Sequence, residues 1–494
     1  MALGEPNGCL QNRSMKRIAI IGGGISGLSA AFALEQRRVA GAALEYVLFE
    51  SGPRLGGVLL TECLDDCLVE AGPDSFLTEK PWAADLCRQL GLGDQLIGSR
   101  DAERRTYILT KGRLVPMPDG LMFMVPTQIL PTVFSPLFPF NTKLRMAREW
   151  FFKPRLGPDE TVASFVERHY GAKLVDRLVD PLLAGVYGGA ASELSAPAVL
   201  PRFIEMERNY GSLTRALLAA RRKAPPQQDR RPIFTSLKKG MQQLPDALVA
   251  RLDSSSQRPN TPVRELQPTS NGWTVSASVE SGFFDAVVVA IPAPAAAALL
   301  ETFGASLASE LRGIPYTSSV TVTLGYGQEV RRSLPPGFGF LVPRSEGKRM
   351  LASTFVHNKF PHRAPSDRAL LRCFVGGSRD EPVLDLPEAE ILRIVGGELR
   401  QILGITAEPR FARVYRWRAA MAQYAVGHLD RLERIEGLRR RLPGLCLAGN
   451  GYRGIGVPDC VRSGQEAADQ ALAAVGLAQS HPEVGASVVA SEER

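Results

Sequence analysis

Apolar residues near the start of the chain form a strand-turn-helix pattern. The sequence KRIAIIGGGISGLSAAFALEQ, at positions 16–36, opens with an apolar run, passes through three adjacent glycines and continues with apolar residues at helical spacing. This pattern predicts a buried strand from Lys16 to Gly22 and a helix from Ile25 to Gln36. The run EYVLFE at 45–50 predicts a second strand. Residues 16–50 therefore predict a βαβ unit.

Similar patterns recur later in the chain. Residues 238–248 (KKGMQQLPDAL) predict a glycine turn that enters a helix, and residues 282–292 (GFFDAVVVAIP) predict a strand that ends at a proline. The sequence LCLAGNGYRGIGVPDCVRSG predicts a strand at 445–449, a glycine-rich turn and then a helix. Because these signatures lie at both ends of the chain, we predict one nucleotide-binding domain built from separated segments, with other domains inserted between them.

Residues 115–140 (VPMPDGLMFMVPTQILPTVFSPLFPF) are unusually apolar and contain a single charge, Asp119. Two interpretations are open at this point. The segment is either a loop folded over a core, or a surface that dips into a bilayer or lines an apolar substrate channel.

Length and composition limit the classes of function. A chain of 494 residues is long enough for two or three domains. The formal charge of +8 suits an acidic substrate or an anionic membrane surface. The short basic runs, such as Arg439–Arg441, lack the compact clustering typical of nucleic-acid proteins, so we expect no nucleic-acid partner.

Cysteine usage and hydropathy indicate a cytoplasmic protein. The seven cysteines form no CxxC pair, and the five histidines are not clustered, so we predict reduced thiols and no metal site. The sequence contains no apolar run long enough to span a bilayer, and residues 1–14 lack the apolar core of a signal peptide. We expect the tail beyond Gly476 to be frayed.

The glycines at the first turn match the fingerprint of a dinucleotide-binding site. In the motif Gly22-x-Gly24-x-x-Gly27, the first glycine permits a tight turn, the second lets the backbone approach a pyrophosphate, and the third lets the helix pack against the strand. The helix N-terminus then faces the anion. Glu50 ends the second strand, where a carboxylate can accept hydrogen bonds from ribose hydroxyls.

Three further turns favour FAD over NAD as the dinucleotide. Arg54-Leu55-Gly56-Gly57 follows the ribose carboxylate, GPDSF spans 72–76, and GNGYRGIGVPDC opens the last helix. The dipole of that helix can stabilise negative charge on a reduced flavin. The chain shows no Ser-His-Asp set and no P-loop, and we interpret His357 and His362 as polar loop residues. Oxidation by a flavin depends on orientation and electrostatics, so no catalytic side chain is assigned.

Several longer motifs resemble a known family. RLGGVLLTE, EAGPDSFL, LVDPLLAGVYGGAASELS, NKFPHRAP, LLRCFVGGSRDE and GNGYRGIGVPDCVRSG are similar to sequences of the oxygen-dependent, FAD-containing protoporphyrinogen and coproporphyrinogen oxidases of haem biosynthesis. The resemblance runs from about 16 to 477. It implies an α/β (α+β) flavoprotein of the amine-oxidase/p-hydroxybenzoate hydroxylase type, with a Rossmann-type FAD domain, a β-sheet substrate domain and a helical membrane-contacting domain.

The resemblance also implies where these domains lie. FAD-binding segments are expected at 15–100, 233–300 and 416–477, the helical membrane-contacting domain at 101–225, and the substrate-binding domain at 301–415. The unusual segment 115–140 falls in the helical domain, which favours its interpretation as a membrane-contacting surface.

The reaction implied by the resemblance is the six-electron dehydrogenation of protoporphyrinogen IX to protoporphyrin IX, with oxygen as acceptor and hydrogen peroxide as product. Coproporphyrinogen III is the alternative substrate, and another flavoenzyme of the amine-oxidase superfamily is a less favoured alternative. The partners expected are the porphyrinogen, molecular oxygen and the inner face of the cell membrane, with a homodimer left open. FAD is expected to be bound non-covalently.

Site residues follow from the resemblance position by position. The cofactor-binding set comprises Gly22, Gly23, Gly24, Ile25, Ser26, Gly27, Glu50, Ser51, Arg54, Gly57, Gly72, Pro73, Asp74, Ser75, Val263, Trp417, Gly456 and Val457. The substrate-binding set comprises Arg105, Gly185, Leu341, Phe355 and Phe374. One position departs from the family, because a carboxylate-binding arginine is replaced by Thr106. Arg105 lies one residue earlier, and a one-residue slip on a strand turns a side chain to the other face, so either Arg105 or Arg104 substitutes or the carboxylate clamp differs.

Overall fold

The structure is a computed structural model that describes residues 15–126, 128–155, 157–223 and 232–478. The expectations for residues 1–14 and for the tail from 479 lie outside the described residues. Two large sheets organise the fold, one parallel and one mostly antiparallel.

The parallel sheet is assembled from distant parts of the chain. Its five strands, in spatial order, are Gln257–Arg258, Leu44–Phe49, Lys16–Ile21, Ala286–Val289 and Leu445–Leu447. Each neighbouring pair is parallel. The predicted first strand, first helix and second strand are therefore confirmed to within a few residues, because the helix spans Ile25–Val39.

Both faces of the parallel sheet are covered, as their continuous apolar runs require. One face packs against the helices Ile25–Val39, Trp82–Gln89, Gln243–Val249 and Val457–Ala474. The other face packs against the helices Ala293–Leu300, Ala305–Arg312 and His428–Arg439 and a meander of the strands Val263–Thr269, Gly272–Ala277 and Ser281–Phe284.

The β-type run predicted at 282–292 forms two strands that belong to different sheets. Ser281–Phe284 closes the meander, and Ala286–Val289 joins the parallel sheet. Asp285 lies between them and accepts hydrogen bonds from the amide of Arg17 (2.8 Å) and from Lys16 Nζ (2.9 Å). These contacts fix the bend at which the chain leaves one sheet for the other.

The second large sheet has seven strands. In spatial order they are Phe411–Ala422, Tyr316–Tyr326, Ala369–Gly376, Met350–Phe355, Gly339–Leu341, Thr106–Thr110 and Arg113–Pro116. All neighbours are antiparallel except Gly339–Leu341 and Thr106–Thr110, which are parallel. One face of the sheet packs on the helix Glu388–Leu403 in an apolar core. We call the opposite face the inner face.

A group of helices covers the inner face at the strands that carry Ile108 and Leu341. They are Ile129–Phe134, Phe140–Glu149, Val162–Tyr170, Ala172–Leu174, Asp180–Tyr187, Ala196–Val199, Pro201–Tyr210 and Leu213–Lys223, with a π-turn at Val175–Val179. They share an apolar core with Ile108 and Leu341 from the sheet. None of the helices in the described residues is both long enough and apolar enough to cross a bilayer.

Short elements connect these parts. The remaining strands are Thr61–Leu64 with Cys67–Glu70, Phe76–Leu77 with Phe234–Leu237 and Leu96–Gly98, and Leu121–Met122 with Val125–Pro126. The remaining helices are Gln328–Ser333 and Val356–Lys359, with 3-10 turns at Gly93–Gln95, Asp101–Glu103, Ser254–Ser256, Arg344–Glu346, Pro361–Arg363, Gly377–Arg379 and Glu381–Asp385.

The seven-stranded sheet contains strands from three of the segments expected from the sequence. The strands Thr106–Thr110 and Arg113–Pro116, from the segment expected to be helical, form one edge of this sheet. The strand Phe411–Ala422 runs across position 416, where the third FAD segment was expected to start. The sheet therefore recruits strands from both flanking segments, because long-range pairing decides which strands join it.

Candidate functional site

The first glycine turn has the geometry of an anion cradle. Gly22 has φ of 109°, and a Cβ there would lie 2.6 Å from the carbonyl oxygen of Ala290. A Cβ on Gly27 would lie 1.8 Å from the carbonyl oxygen of Gly22, so the helix can pack here only without a side chain. A Cβ on Gly24 would meet nothing within 4 Å. Open space at Gly24, in front of the N-terminus of the helix Ile25–Val39, is the space a pyrophosphate requires.

Glu50 is fixed at the end of its strand beside this turn. Its carboxylate accepts hydrogen bonds from the amides of Gly23 and Gly52, both at 2.7 Å, and from the Ser51 hydroxyl at 3.2 Å. A carboxylate has about four lone-pair sites, so acceptor capacity remains for a ribose hydroxyl. Glu50 and Ser51 therefore lie beside the amide of Gly23, at the first glycine turn.

The second glycine turn contacts the first. The amide of Gly56 donates to the carbonyl of Gly23 at 2.7 Å. A Cβ on Gly57 would lie 3.2 Å from the Cα of Gly24. The Arg54 guanidinium donates to the carbonyls of Leu55 and Leu59, so Arg54 braces this turn.

Val263 lies close to the Glu50 end of the site. The amide of Thr261 donates to the carbonyl of Glu50 at 2.7 Å, and Val263 follows two residues later at the start of its strand. Ile25 and Ser26 are buried in the first turn of their helix. These positions agree with a cofactor that passes from Glu50 along the glycine turn.

The third turn, residues 72–75, lies against the inner face of the seven-stranded sheet. Trp417 Nε1 donates to the carbonyl of Ala71 at 3.0 Å, and the Arg372 guanidinium donates to the carbonyl of Gly72. Asp74 and Ser75 are joined by a hydrogen bond of 2.6 Å. A Cβ on Gly72 would lie 1.9 Å from the carbonyl oxygen of Val58, so the turn packs tightly on the second one.

The C-terminal turn is held by a tyrosine. The Tyr424 hydroxyl donates to the carbonyl of Asn450 at 2.8 Å and accepts from the amide of Gly454 at 2.7 Å. Its ring stacks on His428, with centroids 4.1 Å apart. Gly456 then caps the helix that starts at Val457. Lys80 ties this helix to the third turn's segment through an ion pair with Asp459 at 2.6 Å.

Two of the predicted substrate residues share the inner face of the sheet. Leu341 pairs with Ala352, which pairs with Phe374, so all three side chains point to the same side. Leu341 and Phe374 are half-buried. A Cβ on Gly185 would lie at van der Waals distance, 3.9 Å, from Leu341 Cδ2, so the helix Asp180–Tyr187 borders this surface.

Phe355 is not brought together with these residues. It pairs with Leu371, one residue out of phase with Phe374, and it is fully buried against Phe340 on the opposite face of the sheet. A register shift between Met350 and Ala352 accompanies this strand pairing. The strand periodicity therefore makes Phe355 a core residue, and we do not retain it as a substrate contact.

The most specific sequence motifs meet in space. Gly188, in GVYGG, accepts a hydrogen bond from the amide of Ser378, in FVGGSRD, at 2.7 Å. A Cβ on Gly377 would lie 2.4 Å from the Gly188 carbonyl oxygen. Arg379 also pairs with Asp180 at 2.8 Å. These contacts fix the helix that carries Gly185 against the sheet.

Thr106 occupies the position at which the resemblance implies a carboxylate-binding arginine. Thr106 pairs with Gly339 and shares the inner face with Ile108 and Leu341. Arg105 precedes the strand, is exposed, and has no side-chain partner among the described residues. Its backbone carbonyl accepts a hydrogen bond from Phe338. The structure thus places threonine on the inner face and leaves Arg105 at its rim.

A buried charged cluster was missed by the sequence analysis. Asp74, Lys359 and Arg372 meet beside the third turn, and Glu70 pairs with Arg363 next to them. The interpretation of His357 and His362 as polar loop residues is wrong for His357, which is buried. Burial lowers the pKa of His357 to about 4. In the sequence, the alternation of charged and aromatic residues in FVHNKFPHR was the feature that could have predicted a buried polar network.

Comparison with known proteins defines the class. The sequence pattern of the flavin containing amine oxidoreductases matches residues 25–472, so the chain belongs to this family. It is an oxidoreductase of the flavin amine-oxidase type, and the predicted fold class is confirmed.

Within this family, the chain is similar to several porphyrinogen oxidases. The chain is 34% identical over 466 residues to coproporphyrinogen III oxidase of Bacillus subtilis (strain 168), which covers 92% of this chain and 98% of the relative. It is 30% identical over 476 residues to chloroplastic protoporphyrinogen oxidase 1 of Arabidopsis thaliana, covering 91% and 86%. A crystal structure from Exiguobacterium sp. 255-15, provisionally named a protoporphyrinogen oxidase, superposes with a TM-score of 0.82 at 30% identity, covering 92% and 98%. The predicted resemblance to the porphyrinogen oxidases is confirmed.

The residues present fit a flavin dinucleotide. The open space at Gly24, the free acceptor capacity of Glu50 and the convergence of four turns match the parts of such a cofactor. Beside the third turn lies the sheet face that carries the half-buried Phe374 and Leu341. Among the described residues, no three His, Cys, Asp or Glu side chains come together to hold a metal ion.

Proposed function

We propose that this protein is an FAD-dependent porphyrinogen oxidase that binds its cofactor non-covalently and uses oxygen as the acceptor. The observation that carries the proposal is the position of the third turn. This turn packs on Val58, directly after the second glycine turn, whose Gly56 amide donates to the carbonyl of Gly23 in the cradle. On its other side, Arg372 donates to the carbonyl of Gly72 and Trp417 to that of Ala71, from the sheet face that carries Phe374. A cofactor in the cradle would therefore meet a substrate held on that face.

The surface on the inner face suits a large flat ring. Leu341 and Phe374 offer apolar area to a macrocycle, and Gly185 leaves the approach without a side chain. The flavin would accept the electrons when bound, and the protein would orient a bridging carbon of the ring towards it. The side chains named here supply orientation and exclude water; none of them acts as a general base in this proposal.

Coproporphyrinogen III is the proposed substrate, and protoporphyrinogen IX is the second candidate. The first is favoured by the relative at 34% identity, whose name specifies it, and the second by the plant relative at 30%. Coproporphyrinogen carries four carboxylates and needs more cationic partners than the two-carboxylate ring. Arg105, exposed at the rim beside Thr106, is positioned to serve one of them.

The test is an assay with both porphyrinogens, prepared anaerobically and read by porphyrin fluorescence as air is admitted. We expect coproporphyrin to form fastest. Faster oxidation of protoporphyrinogen would assign the second candidate instead. If neither porphyrinogen is oxidised faster than in a control without protein, the proposed function fails.

We further propose that this cytoplasmic enzyme contacts an anionic membrane surface through its helical part. Large apolar side chains are exposed on the helices Ile129–Phe134 and Phe140–Glu149 and the turn that follows: Leu130, Val133, Phe134, Phe140, Leu144, Trp150 and Phe151. Exposed Arg145, Arg148 and Lys153 accompany them. Apolar side chains flanked by cations suit insertion at a lipid headgroup layer.

Sedimentation with vesicles tests this contact. The double variant Phe134→Ser with Phe151→Ser should lose binding to vesicles that contain anionic lipid, because both rings are 80% exposed. Val279→Ser is the control, since Val279 is 76% exposed on the meander of the parallel-sheet domain. Equal sedimentation of the double variant and the control would contradict the proposal.

A further inference from the structure

Five charged side chains meet at the third turn: Asp74 of the turn itself and the buried Glu70, Lys359, Arg363 and Arg372. Lys359 Nζ lies 3.1 Å from both carboxylate oxygens of Asp74 and 3.0 Å from the Ser75 hydroxyl. Arg372 contacts the carbonyl of Gly72 and lies 3.8 Å from Asp74. The turn is thus held by two cations from the opposite domain.

The other two charges form a neighbouring pair. Arg363 lies 2.9 Å from Glu70, and both side chains are almost completely buried. Arg363 also donates to the Ser236 hydroxyl, which donates to the carbonyl of Asp74, at 2.7 Å in each case. The second pair is therefore connected to the same turn by hydrogen bonds.

The cluster carries an excess of positive charge. In their ordinary ionised forms, Lys359, Arg363 and Arg372 supply three positive charges and Asp74 and Glu70 two negative ones, so one positive charge is left over. Burial lowers the pKa of Lys359, and the ion pair with Asp74 opposes that effect. Burial opposes ionisation of Asp74, but Lys359 and Arg372 outweigh it and hold the pKa of its carboxyl well below the usual range. A buried charge without a counter-ion is costly, so an excess cation at this place indicates that negative charge develops nearby.

Arg372 also links the turn to the substrate face. Its guanidinium carbon lies 4.9 Å from the centre of the Phe374 ring, which is two residues further along the same strand and on the same side. A cation over an aromatic ring restrains the position of both groups. One arginine therefore supports both the cofactor turn and the wall of the substrate surface.

We propose that Lys359 and Arg372 are positioning residues that hold the turn 72–75 at the cofactor, and that the excess positive charge of their cluster raises the reduction potential of the bound flavin. Extra positive charge favours the reduced flavin, which gains negative charge. This inference rests on the proposed function, because it requires that FAD is bound at the glycine cradle.

The test measures FAD affinity and the flavin reduction potential on purified holoenzyme without porphyrinogen. Lys359→Met removes the excess charge and should lower the potential, with about tenfold weaker FAD binding because the turn loses its partner. Asp74→Asn should raise the potential. The double variant Asp74→Asn with Lys359→Met restores the wild-type charge and should restore the potential, although its FAD binding stays weak.

Lys16→Met is the matched control. Lys16 forms a comparable ion pair with Asp285 at 2.9 Å, but it lies at the opposite end of the first strand from the glycine turn. Lys16→Met should change neither the FAD affinity nor the flavin reduction potential. If Lys359→Met does not fold, Asp74→Asn and the double variant still give the comparison, because neither leaves a buried carboxylate unpaired.

A merely structural ion pair would shift the potential equally in Lys359→Met and in the double variant, and that result would overturn the charge inference. Potentials of all variants equal to that of wild type would overturn it as well. Failure of the wild-type protein to bind FAD is a different result, because it would overturn the proposed function itself.

Discussion

Gly24→Ala should separate cofactor binding from folding. Gly24 has φ of −69° and ψ of 178°, an extended conformation that alanine adopts without strain. A Cβ there would touch no protein atom within 4 Å. The substitution should therefore leave the free energy of unfolding of the apoprotein unchanged or raise it by about 0.4–1 kcal/mol, since the unfolded chain loses freedom.

Gly24→Ala should instead weaken the binding of FAD. The added methyl group occupies the space through which a pyrophosphate approaches the helix N-terminus. Losing one hydrogen bond to a charged group costs about 1.5–3 kcal/mol, which corresponds to a Kd for FAD about 10- to 150-fold higher.

Two further glycine variants serve as comparisons for Gly24→Ala, one expected to destabilise the fold and one expected to have no effect. Gly27→Ala places a Cβ 1.8 Å from the backbone oxygen of Gly22 and should destabilise the apoprotein itself, by about 1–3 kcal/mol or more. Gly397→Ala, exposed in the helix Glu388–Leu403 with no neighbour within 4 Å, should change neither FAD affinity nor the fold.

The assay is a fluorescence titration of FAD into stripped protein, with thermal unfolding of each apoprotein measured in parallel. FAD binding by Gly24→Ala as tight as by wild type would refute the assignment of the cradle. A large loss of apoprotein stability in Gly24→Ala would refute the claim that its surroundings are open.

Three other perturbations have defined outcomes. Phe374→Ala should reduce porphyrinogen turnover while FAD stays bound, as read from kcat/KM and the flavin absorbance; an unchanged rate would remove Phe374 from the substrate surface. Glu50→Gln should weaken FAD binding about tenfold, because the amide replaces a charged acceptor beside the ribose position, and an unchanged Kd would argue against that role. His169 is buried between Glu149 (3.3 Å) and Glu207 (3.2 Å) and beside Arg168, and its pKa is raised because these carboxylates outweigh the burial of the imidazole. The stability that protonated His169 contributes should be complete below about pH 6.5 and be lost as the pH rises through the raised pKa. His169→Gln should therefore flatten the fall in unfolding free energy on the alkaline side, and an unaltered pH profile would contradict this.

The cofactor half of the site was predictable from the sequence because its requirements are local. Gly22, Gly24 and Gly27 are close in the chain, and each has a steric reason that depends on a single turn. The first strand, first helix and second strand follow from apolar spacing alone. A resemblance over most of the chain added the expectation of a porphyrinogen surface, and two of its side chains, Leu341 and Phe374, do share one face.

The tertiary structure decided the features that depend on long-range pairing. The pairing of the seven-stranded sheet placed Phe355 on the face opposite Phe374, in the core, and the bend at Asp285 divided one apolar run between two sheets. Lys359 and Asp74 are 285 residues apart, so no local pattern could show that they pair. Sequence periodicity reports which side chains avoid water, whereas the identity of the neighbour that neutralises a buried charge is set only when distant strands and turns come together.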